Sequence, residues 1–520
     1  MRMLWNYVGF DRSSMTVQGL ARQFAVVFGG FVIIGLSWPY LVPLVSERER
    51  ISRAYEDGLA AGDRLLIEYL ERSPDATWAW YTLVKQARPG GAGLGRSELL
   101  SRLEACPVLP PAVLRAWYYL YTAGAGRALR ELDGGEDVRI HLARIRICLA
   151  SAALEAALVA AGDAVVAHPD SAKVRAHAID LLTHFGRFDE AHALLEDADH
   201  RVPGTAGAKT RIYLHTGDYV RLSIAVMVHE VSSYPQRAPT VVAALACGLA
   251  WLVFVLHMGR VSAWSRCDRG VAAVALLCGF ASAIVCLIPV YLMESRFVFP
   301  SEDLVYNFFY CVIAIGIKEE FVKLLLVVPL LPYLVRQRDR LKILTITSIV
   351  GLGFAMNENI GYFLGGGSVV VSRFLTANFF HMVLTGYCGY YLVRAVQDGG
   401  WHWNVFALQT LKMSAIHGLY DLLLTMDVVL EGMSLFAMAA YIWLSQVYLR
   451  LVLDSDREAA RKLPLTRLFV TLIAVVTGIA FVLGTGYLPP RAALENTVLG
   501  AVGMGVISIM FFREFKEPVH

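Results

Sequence analysis

Charge is what this 520-residue chain has too little of, at 18% of its residues, where soluble domains carry about 25%. The shortfall argues against an ordinary cytosolic enzyme, a disordered chain and a nucleic-acid binder. An excess of either sign is missing too. The 47 basic and 44 acidic residues leave a net charge of +3, so no basic domain points to nucleic acid as a partner. Cysteine is scarce, and the eight present are too scattered for a disulfide scaffold. Cys247, Cys267, Cys278, Cys286, Cys311 and Cys388 fall in or beside apolar segments, where a free thiol is a small hydrophobe. Cys106 and Cys148 lie in a more polar stretch, and their pairing stays open. What is abundant is hydrophobicity, at 56%. That composition is a membrane protein's, and it does not choose between channel, transporter and enzyme.

A helix needs about 20 apolar residues to cross the hydrocarbon core. On that measure the chain predicts an all-α, polytopic membrane protein of about ten spans. They fall near 24–45, 240–258, 270–293, 305–331, 342–364, 372–394, 404–429, 432–452, 466–487 and 492–512. The first follows Arg2, Arg12 and Arg22 without a small-residue cleavage site, as an uncleaved signal anchor would. Cytoplasmic loops are rich in Lys and Arg. Arg260, Arg266, Arg269, Arg336, Arg338, Arg340, Lys342, Arg457, Arg461 and Lys462 all lie in loops that follow even-numbered spans. Glu294, Glu302, Asp303, Asp427 and Glu431 occupy the opposite loops, with only isolated arginines. Both termini are therefore expected in the cytoplasm of a bacterial-type inner (plasma) membrane protein.

Between the first two spans lies a mixed-composition insert, expected to be extracytoplasmic. The expected organisation is 1–46 anchor, 47–235 insert, 240–455 membrane core and 456–520 C-terminal hairpin. Apolar residues recur at helical spacing over Ala176–Glu196, and Gly186 breaks that run into two helices. A Gly-Asp turn at Gly217 follows 31 residues later (217 − 186), and Gly62-Asp63, Pro74-Asp75 and Pro169-Asp170 fit the same grammar. The pattern resembles degenerate tetratricopeptide (TPR) repeats, which stack into peptide-binding concave surfaces. An irregular helical domain without a ligand is the alternative.

The informative residues are the ionisable ones inside the spans. The fourth carries Lys318-Glu319-Glu320 and Lys323, the fifth Phe354, Asn357, Glu358 and Asn359, the sixth Asn378, His381 and Thr385, and the seventh His417 and Asp421. Charged and unpaired, such groups would cost on the order of ten kcal/mol together on the insertion scale, so they need a reason to be there. At about 1.5 Å per residue, Glu319 and Glu320 lie roughly 17–18 Å from the cytoplasmic helix end, His381 and His417 about 20 Å, Glu358 about 24 Å and Asp421 about 26 Å. Four helices of alternating direction thus bring polar groups to one layer. Within helices, Glu319/Lys323, Phe354/Glu358, His381/Thr385 and His417/Asp421 are four apart and share a face.

Carboxylates shielded from water can act as general bases near neutral pH. Histidines beside them can donate to an oxyanion or hold a metal. Such a set suits peptide-bond hydrolysis. Structural ion pairing between helices, or an ion-coordinating patch around Glu358, remains the bland reading of the same residues.

The series Glu319-Glu320-x-x-Lys323, Phe354-x-x-x-Glu358-Asn359, His381 and His417-x-x-x-Asp421 resembles that of the PrsW-type intramembrane proteases. Their superfamily includes the CAAX prenyl endopeptidases and bacteriocin-processing enzymes. The resemblance covers roughly residues 270–455. It implies Glu319, Glu320, Glu358, His381 and His417 as catalytic, with Lys323, Phe354, Asn359 and Asp421 supporting. It further implies a membrane-anchored protein as substrate, and regulated proteolysis of the anti-sigma-factor type. A metal is left open: Glu358, His381 and His417 could bind zinc, or the site could be a metal-free glutamic one. A lysine where the CAAX branch has a more distant arginine argues against prenyl-protein processing. Neither His-Glu-x-x-His nor a rhomboid-type Gly-x-Ser-x-Gly occurs. The competing expectations are a proton- or ion-coupled transporter and a receptor with an inactive protease-like core. No second copy of the motifs supports the former, and all four motifs being intact weighs against the latter.

Overall fold

In the computed structural model, every regular element among the described residues is helical. The described residues are 17–41, 51, 55, 59–86, 96–198, 202–294, 301, 303–363, 367–426, 433–453, 465–485 and 488–515. The chain forms two compact units, one of residues 43–229 and one of residues 1–42 with 230–520.

The first of these contains α2 (Leu59–Arg72), α3 (Thr77–Gln86), α4 (Arg96–Glu104), α5 (Pro111–Ala123), α6 (Ala125–Arg130), α7 (Val138–Ala150), α8 (Leu154–Ala167), α9 (Ala172–His184), α10 (Phe188–Glu196) and α11 (Ala206–Thr216), and α12 (Tyr219–Ser233) begins in it. From α7 to α11 each helix packs on the next, and α7 on α9 and α9 on α11, the pattern of stacked helical hairpins. Gly186 and Gly217 end their helices with φ of +71° and +73°, a left-handed conformation that costs glycine little. Arg187 N–H then reaches back to Leu182 O at 2.8 Å, and Asp218 N–H to Tyr213 O at 3.0 Å. Chain breaks at Pro74 and Pro169 are also as the sequence suggests. Gly62 is a correction. It lies inside α2, not in a turn, because the Tyr55 ring packs on the space a Cβ would fill and Tyr55 donates to Asp63 Oδ1 at 2.7 Å. Cys106 and Cys148 are free thiols in separate apolar clusters.

The second unit holds α1 (Val17–Leu41), α13 (Ala238–Met258), α14 (Arg266–Glu294), α15 (Leu304–Phe309), a π-helical segment (Tyr310–Ile317), α16 (Lys318–Val327), α17 (Leu331–Leu334), α18 (Arg340–Tyr362), α19 (Gly367–Leu375), α20 (Ala377–Asp398), α21 (His402–Met426), α22 (Met433–Leu453), α23 (Leu465–Gly484), α24 (Pro490–Gly503) and α25 (Gly505–Phe515). Among the described residues, seven helices are long and apolar enough to cross a membrane, or eight if α24 and α25, bent by 49°, cross as one. Together with the family match below, they make this a membrane protein.

Ten spans are not reached: the one near 492–512 counts only if α24 and α25 cross as one, and those near 305–331 and 404–429 are missing. The former is a chain of short helices interrupted by a π turn and by Lys318, Glu319, Glu320 and Lys323. The latter, α21, is 25 residues long but carries Asn404, Gln409, Lys412, His417 and Asp421. Both depart from a plain apolar span because they carry the polar groups of the site. Of the loop charges behind the expected orientation, Arg2, Arg12, Glu302, Asp427, Glu431, Arg457, Arg461 and Lys462 lie outside the described residues.

α18 is the hub. It is buried along nearly its whole length and packs on α13, α14 and α20. Gly353 meets Gly279 of α14, and Gly351 lies against the His381 carbonyl of α20, so the helices approach backbone to backbone. Gly361 is in open space and has no such role.

Candidate active site

Two features of the local chain put the site together. The π-helical turn immediately precedes Lys318, and such turns re-aim the residues that follow and often mark functional places. Gly316 in that turn packs on the Ser414 carbonyl of α21, while a Cβ at Gly418 would come within 2.5 Å of Val312 Cα. Paired glycines thus let α21 lie against the π segment, which brings His417 and Asp421 beside Glu319 and Glu320.

The centre is Lys323, fully buried. Its Nζ lies 2.9 Å from Glu320 Oε1, 2.9 Å from His381 Nδ1 and 3.6 Å from Glu319 Oε2. It also sits 3.9 Å from the Phe354 ring centroid, where the ring face attracts a cation. Glu320, equally buried, accepts from Lys323 and from His417 Nδ1, the latter at 2.9 Å, and Thr385 Oγ1 approaches its other oxygen at 3.4 Å. Glu320 is therefore saturated. Glu319 is not: its Oε2 is buried and receives no hydrogen bond. Facing it at 3.6 Å is His417 Nε2, which in turn lies 3.4 Å from Asp421 Oδ2.

Hydrogen-bond chemistry fixes the histidines. A lysine ammonium only donates, so His381 Nδ1 accepts and Nε2 carries the proton. That Nε2–H points at Glu358 Oε2, 3.1 Å away. His417 Nδ1 faces the Glu320 carboxylate and donates to it, which leaves Nε2 turned toward Glu319 and Asp421. The two imidazoles lie 5.1 Å apart, edge to face.

Glu358 is held from outside by a residue the motifs did not indicate. Arg373 Nη2 donates to Glu358 Oε2 at 2.6 Å and its Nε to Asn359 Oδ1 at 2.6 Å. The guanidinium lies 3.7 Å from the Tyr362 ring centroid, and Asn359 donates onward to Asn378 Oδ1 at 3.0 Å. One signal for Arg373 was available. In the expected orientation it is an arginine on the non-cytoplasmic side, which the positive-inside rule disfavours.

Glu319, Glu320, Lys323, Phe354, Glu358, His381, His417 and Asp421 thus converge on one network, and Asn359 joins it through Arg373. The only trio among the described residues with metal-ligand geometry is Glu319, His381 and His417, whose ligand atoms lie within 4.8 Å of one another. Two imidazoles and a carboxylate are a zinc donor set, and the Glu319 oxygen, which accepts no hydrogen bond, suits an added cation. The sequence suggested Glu358 in this trio. In the structure Glu319 is the carboxylate grouped with the two histidines, while Arg373 and His381 engage the Glu358 carboxylate. A metal taken up here would draw on Glu319, on His417 and on a His381 nitrogen that exchanges its present partner.

Residues 268–447 match the family model for the PrsW family intramembrane metalloprotease. All four motifs fall inside this segment. No curated protein matches the chain.

Proposed function

We propose that the protein is an intramembrane endopeptidase that hydrolyses a peptide bond in or near the transmembrane segment of a membrane-anchored protein. The observation that carries this reading is the pairing of a saturated glutamate with an unsatisfied one. Glu320, Lys323 and His381 form a hydrogen-bonded frame. Beside it Glu319 presents a buried carboxylate oxygen that receives no hydrogen bond, with Lys323 Nζ and His417 Nε2 each 3.6 Å away. An unmade buried bond costs about 1–3 kcal/mol, so this oxygen is poised to accept one from a water or a bound group.

In this reading Glu319 takes a proton from water, and the water oxygen forms a bond to the carbonyl carbon of a locally unwound substrate. His417, protonated on both nitrogens between the Glu320 carboxylate and those of Glu319 and Asp421, donates through Nε2 to the developing oxyanion. Glu319 passes the proton it took to the leaving amine. The C–N bond then breaks to give a carboxylate and an amine. Asp421 holds the Nε2 side of His417 and Glu320 holds its Nδ1 side, while Lys323 keeps Glu320 charged. A divalent metal held by Glu319, His381 and His417 would supply Lewis-acid polarisation of the carbonyl. Cleavage lost to a chelator and restored by stoichiometric zinc assigns the metal chemistry; indifference to the chelator assigns the glutamic one.

The segments 304–334 and 402–426 cross the membrane in this reading, giving ten spans in a bacterial-type inner membrane with both termini cytoplasmic. The helical insert lies outside and acts as a TPR-like recruiter of substrate in regulated proteolysis. Its stacked hairpins support that role. Deleting residues 50–235 should then change which proteins are cut or how fast, and an unchanged profile would remove the insert from the scheme. For the enzyme itself the test is membrane proteomics of cells carrying the wild type or Glu320→Ala. One membrane-anchored protein should accumulate at full length in the variant, and identical profiles would count against an intramembrane protease.

A further inference from the structure

The family match ends at residue 447, so α23, α24 and α25 lie outside it. They nevertheless lead to the site through α19. That helix has one charged side chain, Arg373. Val371, Phe374 and Leu375 are buried in the shared apolar core. At its C-terminal end, Trp251 Nε1 donates to Phe374 O and Tyr441 Oη to Leu375 O, each at 2.5 Å. At its start α24 takes hold: Asn496 Oδ1 accepts from Ser368 N–H at 2.7 Å, and a Cβ on Gly500 would come within 2.7 Å of Ser368 Cα. α19 also packs on α23. Fixed at both ends, it directs the Arg373 guanidinium to Glu358 and Asn359.

We propose that Arg373 is a positioning residue that acts through Glu358 on His381, and that the C-terminal helices serve the site by holding α19 in place. Glu358 Oε2 stands between Arg373 at 2.6 Å and the His381 Nε2–H at 3.1 Å. The guanidinium neutralises this carboxylate and fixes which way it faces. The carboxylate in turn fixes the ring plane of His381, whose other nitrogen meets Lys323. Removing Arg373 frees Glu358 to turn and lets His381 rotate off Lys323. Loss of such an outer partner lowers activity about 10–100-fold.

The inference rests on the protease reading, and the experiment separates the two. The full-length chain is purified with Glu320→Ala, Arg373→Ala, Arg373→Lys, Glu358→Gln, the Glu358→Gln/Arg373→Ala double variant and Gly500→Val. The substrate is the membrane-anchored protein that accumulates in Glu320→Ala cells. If the wild type cuts nothing, the protease reading fails and takes this inference with it; that result is seen before any Arg373 variant is compared. Given wild-type cleavage, Arg373→Ala should lose about 10–100-fold in kcat with little change in KM, and added guanidinium ion should restore part of it. Arg373→Lys keeps the charge and should fold and retain an intermediate rate. Because Arg373 acts through Glu358, the double variant should be no slower than Glu358→Gln alone. Gly500→Val, which touches no charged group, should lower kcat in the same direction. Wild-type kcat in Arg373→Ala and Arg373→Lys, or multiplicative losses in the double variant, would overturn the proposal.

Discussion

Two ion pairs show what separates the two units of this protein. In the helical insert, Arg187 and Glu190 approach to 2.6 Å with about half of each side chain exposed, at 48% and 56%. In the membrane unit, Lys323 and Glu320 are slightly farther apart at 2.9 Å, with neither exposed at all. The shorter pair is the weaker. Water competes for the first and screens it, so it contributes about 0.2–1 kcal/mol. Nothing competes for the second, and each of its members is bound to the next group in a chain from Arg373 to His417. Distance does not rank these interactions; the surroundings do. Arg187 and Glu190 sit at the surface of the insert, while Lys323 and Glu320 are held by buried partners on every side.

That contrast can be broken in several places. The largest effect is expected at Glu319, where Glu319→Gln should slow cleavage about 10²–10⁴-fold, as loss of a general base does, while leaving thermal unfolding close to wild type. Next comes Lys323→Met, which leaves Glu320 and His381 Nδ1 facing an apolar chain. It should destabilise the membrane unit by about 3–5 kcal/mol, read from thermal unfolding in detergent. A wild-type melting temperature would show that the frame is not electrostatic. Gly418→Val tests the backbone contact between α21 and the π turn. Overpacking there should cost about 1–3 kcal/mol, with cleavage falling alongside stability as His417 moves off Glu320.

Effects shrink in the insert. Asp137 caps α7 by accepting from Arg139 N–H at 2.7 Å, and its bond to the Arg139 side chain holds its pKa below the usual carboxylate value. Asp137→Ala should cost about 0.5–2 kcal/mol. A depressed pKa stabilises the fold above the ordinary carboxylate range and ceases to do so as the pH falls through the lowered value. The variant's deficit at neutral pH should therefore vanish in acid. Smallest of all, Arg187→Ala should change stability by no more than about 1 kcal/mol, and a loss comparable with Lys323→Met would erase the contrast drawn here.

Much of this was legible in the residues. Lys, Glu and His inside apolar runs, at matching depths and four-residue spacings, marked out the residues that the structure brings together, because buried charges need partners. Gly186 and Gly217 gave the insert's turns for an equally local reason, the left-handed conformation. What stayed hidden depended on neighbours distant in sequence. Gly62 looks like a turn until Tyr55 covers it. The Glu358 carboxylate is bonded by Arg373, fifteen residues on, and that bond has no local sign in the sequence. Glu319 and Glu320 are indistinguishable as adjacent letters, and only the packing of α21 shows which of them is saturated. The π turn that aims them carries no sequence mark beyond Gly316.

The central claim is that the unsatisfied Glu319 carboxylate performs hydrolysis within the membrane. The most direct test is cleavage by the purified full-length chain in lipid nanodiscs, using the protein that accumulates in Glu320→Ala cells as substrate. Wild type should cut it in or near its membrane segment, and Glu319→Gln should leave it intact while folding normally. Cutting at the wild-type rate by Glu319→Ala, Glu320→Ala and the double variant would contradict the account.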